Sequence, residues 1–348
     1  MIDLSTKYMG IKLKNPIIIG ASNLVQEAKN LKKLEEIGAS AIIYKSLFEE
    51  QIQLESLEMQ QDMEAYKDWD PEHATLFPDL EHAGPAEYLL NLREAIETVK
   101  IPIIASLNAV YENSWLEYAK KIGETGAAGL ELNFYHHNND FDKVPNQIEQ
   151  EQLQILKKIK ETINIPVSVK LSPYYTNTLR MVKQFDRAGA DAFILFNRLF
   201  QPDIDIEKEE HHFPYNFSSR NDNRLALRYA GLLYKKVKGS VCSNTGIHSG
   251  SDMIKMLLAG ADTVQIVSTL YRKGITHIAT MLSSMEEWMI DKGYDKLDDF
   301  RGKLSNKNMQ HDLHAYKRAQ YVDILLKSEN FNKYHPKDEE EMNWEDRW

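Results

Sequence analysis

Residues 189–197 have the sequence Gly-Ala-Asp-Ala-Phe-Ile-Leu-Phe-Asn, a Gly-Ala pair followed by an almost unbroken apolar run. The same pattern starts at Gly38, Gly126 and Gly260, so it occurs four times in the chain. A glycine directly after a helix supplies the left-handed cap, and the apolar run after it indicates a strand buried on both faces. The repeat therefore predicts four units in which a helix is followed by a buried strand.

A second series of strands alternates with the first. Pro16, Pro102 and Pro166 each precede a short apolar stretch, and Gly239 stands at the matching position before residues 240–243. Two interleaved series of four give eight strands, and strands that alternate with helices pair in parallel. We therefore expect an α/β fold, a (β/α)₈ TIM barrel. An open doubly wound sheet is the alternative, which the absence of Gly-x-Gly-x-x-Gly after the first strand disfavours.

The predicted element boundaries follow from these two series. The predicted strands are 16–21, 41–46, 103–107, 129–133, 167–171, 192–197, 240–243 and 263–268. The predicted helices are 31–37, 85–99, 115–125, 148–162, 179–188, 225–236, 252–259 and 275–292.

Two connections are longer than ordinary loops. Residues 47–84 follow strand two and residues 198–222 follow strand six, so both leave the carboxyl end of a strand, where barrel enzymes carry their chemistry. We expect both insertions to form a lid over the barrel mouth, and residues 8–13 to form a hairpin that closes the barrel floor. Residues 1–328 are predicted to be a single barrel domain, and residues 329–348 an acidic tail.

The composition excludes several classes of function. Lysine and arginine number 42 against 52 aspartate and glutamate, a net charge of −10, so no basic surface for nucleic acid is expected. No stretch approaches the roughly 20 apolar residues of a membrane span, and the amino terminus has no signal-peptide pattern, so we expect a cytoplasmic protein without a membrane partner. A single cysteine, Cys242, excludes an internal disulfide and a four-thiolate iron–sulfur site.

Polar side chains collect at the predicted carboxyl ends of separate strands. Lys45 and Lys170 end strands two and five, and Asn133 and Asn197 end strands four and six. A single polar residue at a strand end is more often structural than functional. Solvation alone does not explain why polar residues stand at the same end of several separate strands. An unpaired buried ammonium is costly, and no acidic residue stands at a strand end. We therefore expect the two lysines to pair with an anionic ligand.

The last two strands offer a site for a phosphate. Thr245-Gly246 follows strand seven and Ser268-Thr269 follows strand eight, so both supply backbone amides and hydroxyls at the barrel mouth. A phosphate site beside lysines and amide side chains indicates FMN as the cofactor.

Motifs spread over most of the chain resemble the soluble dihydroorotate dehydrogenases. They are Asn15-Pro16 with Gly20-Ala21-Ser22, Lys45-Ser46, residues 169–174, Asn244-Thr245-Gly246-Ile247, Ser268-Thr269-Leu270 and residues 299–304. The resemblance runs from about Leu4 to Leu304 in the same order and spacing. It implies an FMN enzyme that oxidises the CH–CH bond of dihydroorotate to give orotate in pyrimidine biosynthesis, and a homodimer.

The resemblance also implies roles for individual residues. Lys45 would lie at the reactive edge of the flavin and Lys170 at its N1 and C2 carbonyl, where a cation stabilises the anionic reduced ring, so both are candidate catalytic groups. Asn133, Asn138 and Asn197 would bind the carboxylate and amides of the substrate. The residues implied to contact FMN are Ala21, Ser22, Lys45, Ser46, Ser106, Asn133 and Lys170, with Thr245, Gly246, Ser268 and Thr269 at its phosphate.

Three departures from the family pattern lie in the substrate half of the site. The family has Asn-Leu-Ser-Cys-Pro-Asn after strand four, and its cysteine removes the substrate proton. Residues 133–138 are Asn-Phe-Tyr-His-His-Asn instead, which makes His136 the candidate base and Tyr135 a second candidate. The family's substrate loop after strand two is not recognisable in residues 47–84. Arg198 replaces a small hydroxyl residue after Asn197 and is a candidate clamp for a substrate carboxylate.

These departures leave alternatives open. His136 is either the base or a loop histidine that only forms hydrogen bonds, and Arg198 is either the clamp or a surface arginine of the lid. Residues 209–212, Glu-Glu-His-His, are interpreted as solvated lid with no metal site. A flavin ene-reductase or dehydrogenase for another small carboxylate is the alternative enzyme, and a flavin-binding protein without turnover is the alternative outside enzymes. The electron acceptor is fumarate, NAD through a partner, or oxygen.

We predict an acid limb in the pH–rate profile that depends on His136. An imidazole loses its proton near pH 6.5, so it accepts a substrate proton only above about that pH. Flavin reduction should slow below about pH 6.5 in the parent protein, and His136→Ala should be slow at every pH without such a limb. Stopped-flow flavin reduction measures both. Equal rates in the two proteins would remove His136 from catalysis and leave Tyr135 or water as the proton acceptor.

Overall fold

A computed structural model describes residues 2–53, 85–134, 141–142, 144–199, 202–212, 217–308 and 316–326. Eight strands pair in parallel in chain order, and the last pairs with the first to close a barrel. The predicted (β/α)₈ barrel is therefore confirmed. The strands are β1 (Ile17–Ile19), β2 (Ala41–Phe48), β3 (Ile103–Asn108), β4 (Gly129–Asn133), β5 (Val167–Leu171), β6 (Ala192–Leu195), β7 (Ser240–Asn244) and β8 (Thr263–Ile266).

Helices alternate with these strands along the chain. They are α1 (Ala28–Ile37), α2 (Pro85–Thr98), α3 (Glu112–Gly123), α4 (Pro145–Thr162), α5 (Thr178–Arg187), α6 (Asn223–Leu233), α7 (Gly250–Ala259), α8 (Ser268–Lys273), α9 (His277–Lys292) and α10 (Ala319–Leu326). The Gly-Ala repeat acts as predicted at α1, where Gly38 has a φ of 119° and its N–H donates to the carbonyl oxygens of Leu34 and Glu35. Predicted and observed boundaries differ by a few residues at the element ends.

The barrel interior is apolar at its amino-terminal end. A hairpin of Thr6–Tyr8 and Ile11–Leu13 closes this end, which confirms the hairpin predicted from the sequence. Tyr8 is fully buried and packs with the inward-facing side chains Ile18, Ile43 and Ile104. A larger apolar layer lies between the strands and the surrounding helices.

The insertion after β6 is only partly described. It contains a short hairpin, Asp203–Asp205 paired with Glu210–His212, and a 3₁₀ turn at Arg220–Asp222. Most of the insertion after strand two (residues 54–84) and the tail (329–348) lie outside the described residues. The lid role of both insertions and the single-domain boundary therefore stay predictions.

Two negative findings concern only the part of the chain that the structure describes. None of the helices there is both apolar enough and long enough to cross a membrane. The same residues hold no group of three or more histidine, cysteine, aspartate or glutamate side chains arranged to bind a metal ion.

We predict that the ring of Tyr8 holds the barrel floor together. Tyr8→Ala should lower the free energy of unfolding by about 3–5 kcal/mol, because removing a fully buried aromatic ring leaves a cavity. Tyr8→Phe keeps the ring and should cost less than about 1.5 kcal/mol. Urea denaturation followed by circular dichroism measures both values. Equal losses in the two variants would show that packing of the ring does not stabilise the floor.

Candidate active site

The carboxyl ends of the strands surround a cavity of about 580 Å³. Its wall comes from β5, β7 and β8 and from the segments that follow β1, β6, β7 and β8. The structure therefore brings residues from distant parts of the chain to one place. The predicted site residues in its wall are Ala21, Ser22, Lys170, Asn197, Arg198, Thr245, Gly246, Ser268 and Thr269.

Four other predicted residues lie on β2, β3 and β4. Ser46 and Ser106 are buried and their hydroxyl oxygens are hydrogen-bonded at 2.7 Å, and Asn133 accepts a 2.7 Å hydrogen bond from the amide nitrogen of Asn197. Asn133 therefore adjoins the cavity through Asn197. Lys45 is half-buried on β2 and is not one of the described residues that line the cavity.

Three predicted substrate-site residues, Tyr135, His136 and Asn138, lie outside the described residues. Their roles stay predictions.

The loop after β7 has a backbone conformation that depends on glycine. Thr245 and Gly246 have φ angles of 75° and 72°. A β-carbon on Gly246 would lie 2.5 Å from the backbone nitrogen of Asn223 and 2.7 Å from the carbonyl oxygen of Ser219. The Asn223 side chain also donates a 3.0 Å hydrogen bond to the Gly246 carbonyl. The loop is therefore packed tightly against the start of α6.

The loops after β7 and β8 are joined by buried polar contacts. The Thr269 hydroxyl donates to the carbonyl of Ile247 and lies 3.2 Å from Nδ1 of His248. Burial is the main reason that the pKa of His248 is below its ordinary value. The Ser268 hydroxyl accepts a 3.2 Å hydrogen bond from the Ser218 N–H. The Thr269 hydroxyl, expected to face a phosphate, is thus engaged within the protein.

The expectation that no acidic residue pairs with the lysines is wrong for Lys170. Glu131 on β4 is fully buried, and its Oε1 lies 3.7 Å from the Lys170 ammonium. Its Oε2 accepts a 2.7 Å hydrogen bond from the amide nitrogen of Gln265. Side chains alternate along a strand, so Glu131 shares the inward face of Asn133, two residues later. That alternation was present in the sequence and identifies Glu131.

The cavity wall also contains residues to which the sequence analysis assigned no individual role. Asn244 ends β7, Asn23 begins a 3₁₀ turn after β1, and Gln265 is a polar residue within the apolar strand β8. Each therefore had a sequence signal. Phe217, Ser218 and Tyr271 lie in loops or in the short helix α8, where no periodicity marks them. The additional wall residues of this kind are Asn23, Phe217, Ser218, Asn244, Gln265 and Tyr271.

Arg198 lies in the cavity wall with its charge balanced by a carboxylate. Its Nη1 is 2.6 Å from Oδ2 of Asp222, which also accepts a 2.7 Å hydrogen bond from the Ser219 N–H. Desolvation raises the pKa of Asp222, but the hydrogen bonds from Ser219 and Arg198 outweigh it and bring the pKa below its ordinary value. Arg198 is thereby oriented in the wall, and its role as a substrate clamp stays a prediction.

Comparison with known proteins identifies the family. The family model named dihydroorotate dehydrogenase matches residues 79–289, more than half of the chain. The chain belongs to the dihydroorotate dehydrogenase family. Enzymes of the dihydroorotate dehydrogenase family are FMN-dependent oxidoreductases that act on a CH–CH donor.

Individual relatives match over most of their length. The catalytic subunit of dihydroorotate dehydrogenase B (NAD(+)) from Thermoplasma acidophilum is 25% identical over 317 residues, covering 87% of this chain and 99% of the relative. Its counterpart from Thermoplasma volcanium is 27% identical over 318 residues, covering 87% and 98%. Dihydroorotate dehydrogenase A (fumarate) from Lactobacillus delbrueckii is 25% identical over 230 residues, covering 63% of this chain and 72% of the relative.

Proposed function

We propose that this protein is an FMN-dependent dehydrogenase that oxidises dihydroorotate to orotate in pyrimidine biosynthesis. The observation that carries the proposal is the cavity at the carboxyl ends of the barrel strands. Its wall combines Lys170, Asn197 and the glycine-dependent loop at Gly246, which the family resemblance assigns to the flavin ring, the substrate and the phosphate. Membership of the dihydroorotate dehydrogenase family supports the same activity.

The cavity fits FMN in size and in hydrogen-bonding capacity. A volume of about 580 Å³ is within the usual range for cofactor and ligand sites. Ser22 Oγ and Gln265 Oε1 are buried without a hydrogen-bond partner among the described residues, although both residues line the cavity. Buried polar atoms normally have partners, so a ligand with donors and acceptors along its edge would satisfy them. The Lys170 ammonium adds a positive charge in the same wall.

The chain's own residues would hold the cofactor from two sides. We assign Thr245, Gly246, Ser268 and Thr269 to the phosphate, chiefly through backbone amides because the Thr269 hydroxyl is already engaged. We assign Ala21, Ser22, Lys45, Ser46, Ser106, Asn133 and Lys170 to the ring system. FMN, when bound, would supply the acceptor for the two electrons that leave the CH–CH bond.

The two asparagines would recognise the substrate ring. Their mutual hydrogen bond uses one N–H of Asn197 and the side-chain oxygen of Asn133. Asn197 keeps its side-chain oxygen and Asn133 its two N–H groups, which match the N–H and carbonyl edges of a dihydropyrimidine. Arg198 and Asn138 would meet the carboxylate, and His136 would accept the substrate proton. We also propose, on the family resemblance, a cytoplasmic homodimer.

We predict that purified protein is yellow, releases FMN on denaturation, and loses its flavin colour anaerobically on addition of dihydroorotate. Dihydrouracil lacks the carboxylate and serves as the control, which should bleach the flavin far more slowly. Protein that is colourless and takes up no added FMN would contradict the proposal. Bound FMN that only a different small carboxylate reduces would favour the alternative enzyme instead.

A second prediction concerns Gly246. Gly246→Ala should weaken FMN binding at least about tenfold, or about 1.4 kcal/mol, because the added β-carbon displaces the loop from α6. Gly293→Ala is the matched control, since Gly293 has a φ of 71° but open space around its β-carbon position. It should bind FMN as the parent does. Fluorescence titration of the apoproteins measures both affinities, and equal values in the two variants would place the phosphate elsewhere.

A further inference from the structure

Glu131 joins two residues of the cavity wall from below. It lies inside the barrel and is fully buried, whereas Lys170 and Gln265 both line the cavity. Gln265 donates a 2.7 Å hydrogen bond to Oε2 of Glu131, and Lys170 lies 3.7 Å from Oε1. One carboxylate therefore contacts both side chains.

The contact with Gln265 spans the barrel. Glu131 is on β4 and Gln265 is on β8, and these strands stand on opposite sides of the closed ring. Lys170 is on β5, where it is the register partner of Asn133 at the cavity end of β4. The carboxylate thus fixes groups from the two sides of the barrel relative to one another.

Burying the Glu131 carboxylate costs free energy unless a positive charge or hydrogen-bond donors lie beside it. A buried carboxylate loses its hydration, and attraction to a nearby ammonium and a good hydrogen bond compensate only in part. Oε1 of Glu131 has no hydrogen-bond partner among the described residues. Within that part of the chain, attraction to the Lys170 ammonium offsets the lost hydration of Oε1. Removing one member of such a pair leaves an unpaired buried charge.

We propose that Glu131 is a positioning residue, the buried counter-ion that holds Lys170 and Gln265 in the wall of the flavin cavity and partly neutralises the Lys170 charge there. The ion pair stands on the geometry alone, whereas its effect on a flavin rests on the proposed function. Since a cation beside the ring favours the reduced form, Glu131 would moderate that preference through Lys170.

The first experiment tests the ion pair in the apoprotein. Glu131→Gln and Lys170→Met should each lower the thermal unfolding midpoint, because each leaves one charge buried and unpaired. The double variant has no buried charge at this position and should unfold at a higher temperature than the sum of the two single losses predicts. Additive losses would overturn the proposal. If Glu131→Gln alone fails to fold, rescue by Lys170→Met supports the pair and failure of the double variant contradicts it.

The second experiment measures the reduction potential of bound FMN. Glu131→Gln should favour reduced FMN about tenfold over the parent, a rise of about 30 mV for a two-electron couple, because the Lys170 charge is no longer balanced. Lys170→Met should shift the potential in the opposite direction. An unchanged or lower potential in Glu131→Gln would overturn the proposal.

Glu49→Gln is the matched control for this measurement. Glu49 is also buried, but its carboxylate accepts hydrogen bonds from the Val110 N–H and the Ser114 hydroxyl, and neither residue lines the cavity. The potential of Glu49→Gln should equal that of the parent, and a shift equal to that of Glu131→Gln would overturn the assigned role. If the parent protein binds no FMN, the proposed function is contradicted. The unfolding experiment on the apoprotein still tests the ion pair between Glu131 and Lys170 in that case.

Discussion

The pairing of β8 with β1 is the contact on which the rest of the structure depends. The N–H of Val264 donates to the carbonyl of Pro16 at 2.9 Å, and the N–H of Gly20 donates to the carbonyl of Ile266 at 3.1 Å. These bonds join the two ends of an eight-stranded sheet, so no strand edge is left unpaired within the barrel. Closure also places the ends of β1 and β8 beside each other, and with them Ser22 and Ser268, both in the cavity wall.

Within the closed barrel, polarity changes along the axis. The floor is the hairpin with Tyr8, packed on isoleucine side chains. Above it lies the buried layer in which Glu131 contacts Lys170 and Gln265, and above that layer the barrel opens into the cavity. An apolar floor stabilises the fold by burying surface, whereas the polar layer costs desolvation and fixes the directions of the groups that face a ligand. Stability and function therefore occupy opposite ends of one barrel, as is usual for this architecture.

Contacts other than the pairing of the barrel strands hold the loops after β7 and β8 together in the cavity wall. The Thr269 hydroxyl joins the two loops, and Gly246 fits against α6 only because it lacks a side chain. The sequence departs from the family pattern at His136 and Arg198, two residues that the resemblance connects with the substrate. The proposed function therefore combines a family-like flavin site with substrate residues that differ from the family pattern, and loops are where binding residues usually differ.

The sequence alone determined the eight strands, most helices and the end of the barrel at which polar residues collect. These features are local: a glycine cap, an apolar run and a polar strand end each depend on a few neighbouring residues. Only the tertiary structure decided that Glu131 meets Gln265, 134 residues later in the chain, and that Arg198 pairs with Asp222. Ring closure sets the first contact and the path of the insertion after β6 sets the second, and neither leaves a periodic pattern in the sequence. Strand alternation places Glu131 inside the barrel, but which partner it contacts across the interior depends on the register of all eight strands.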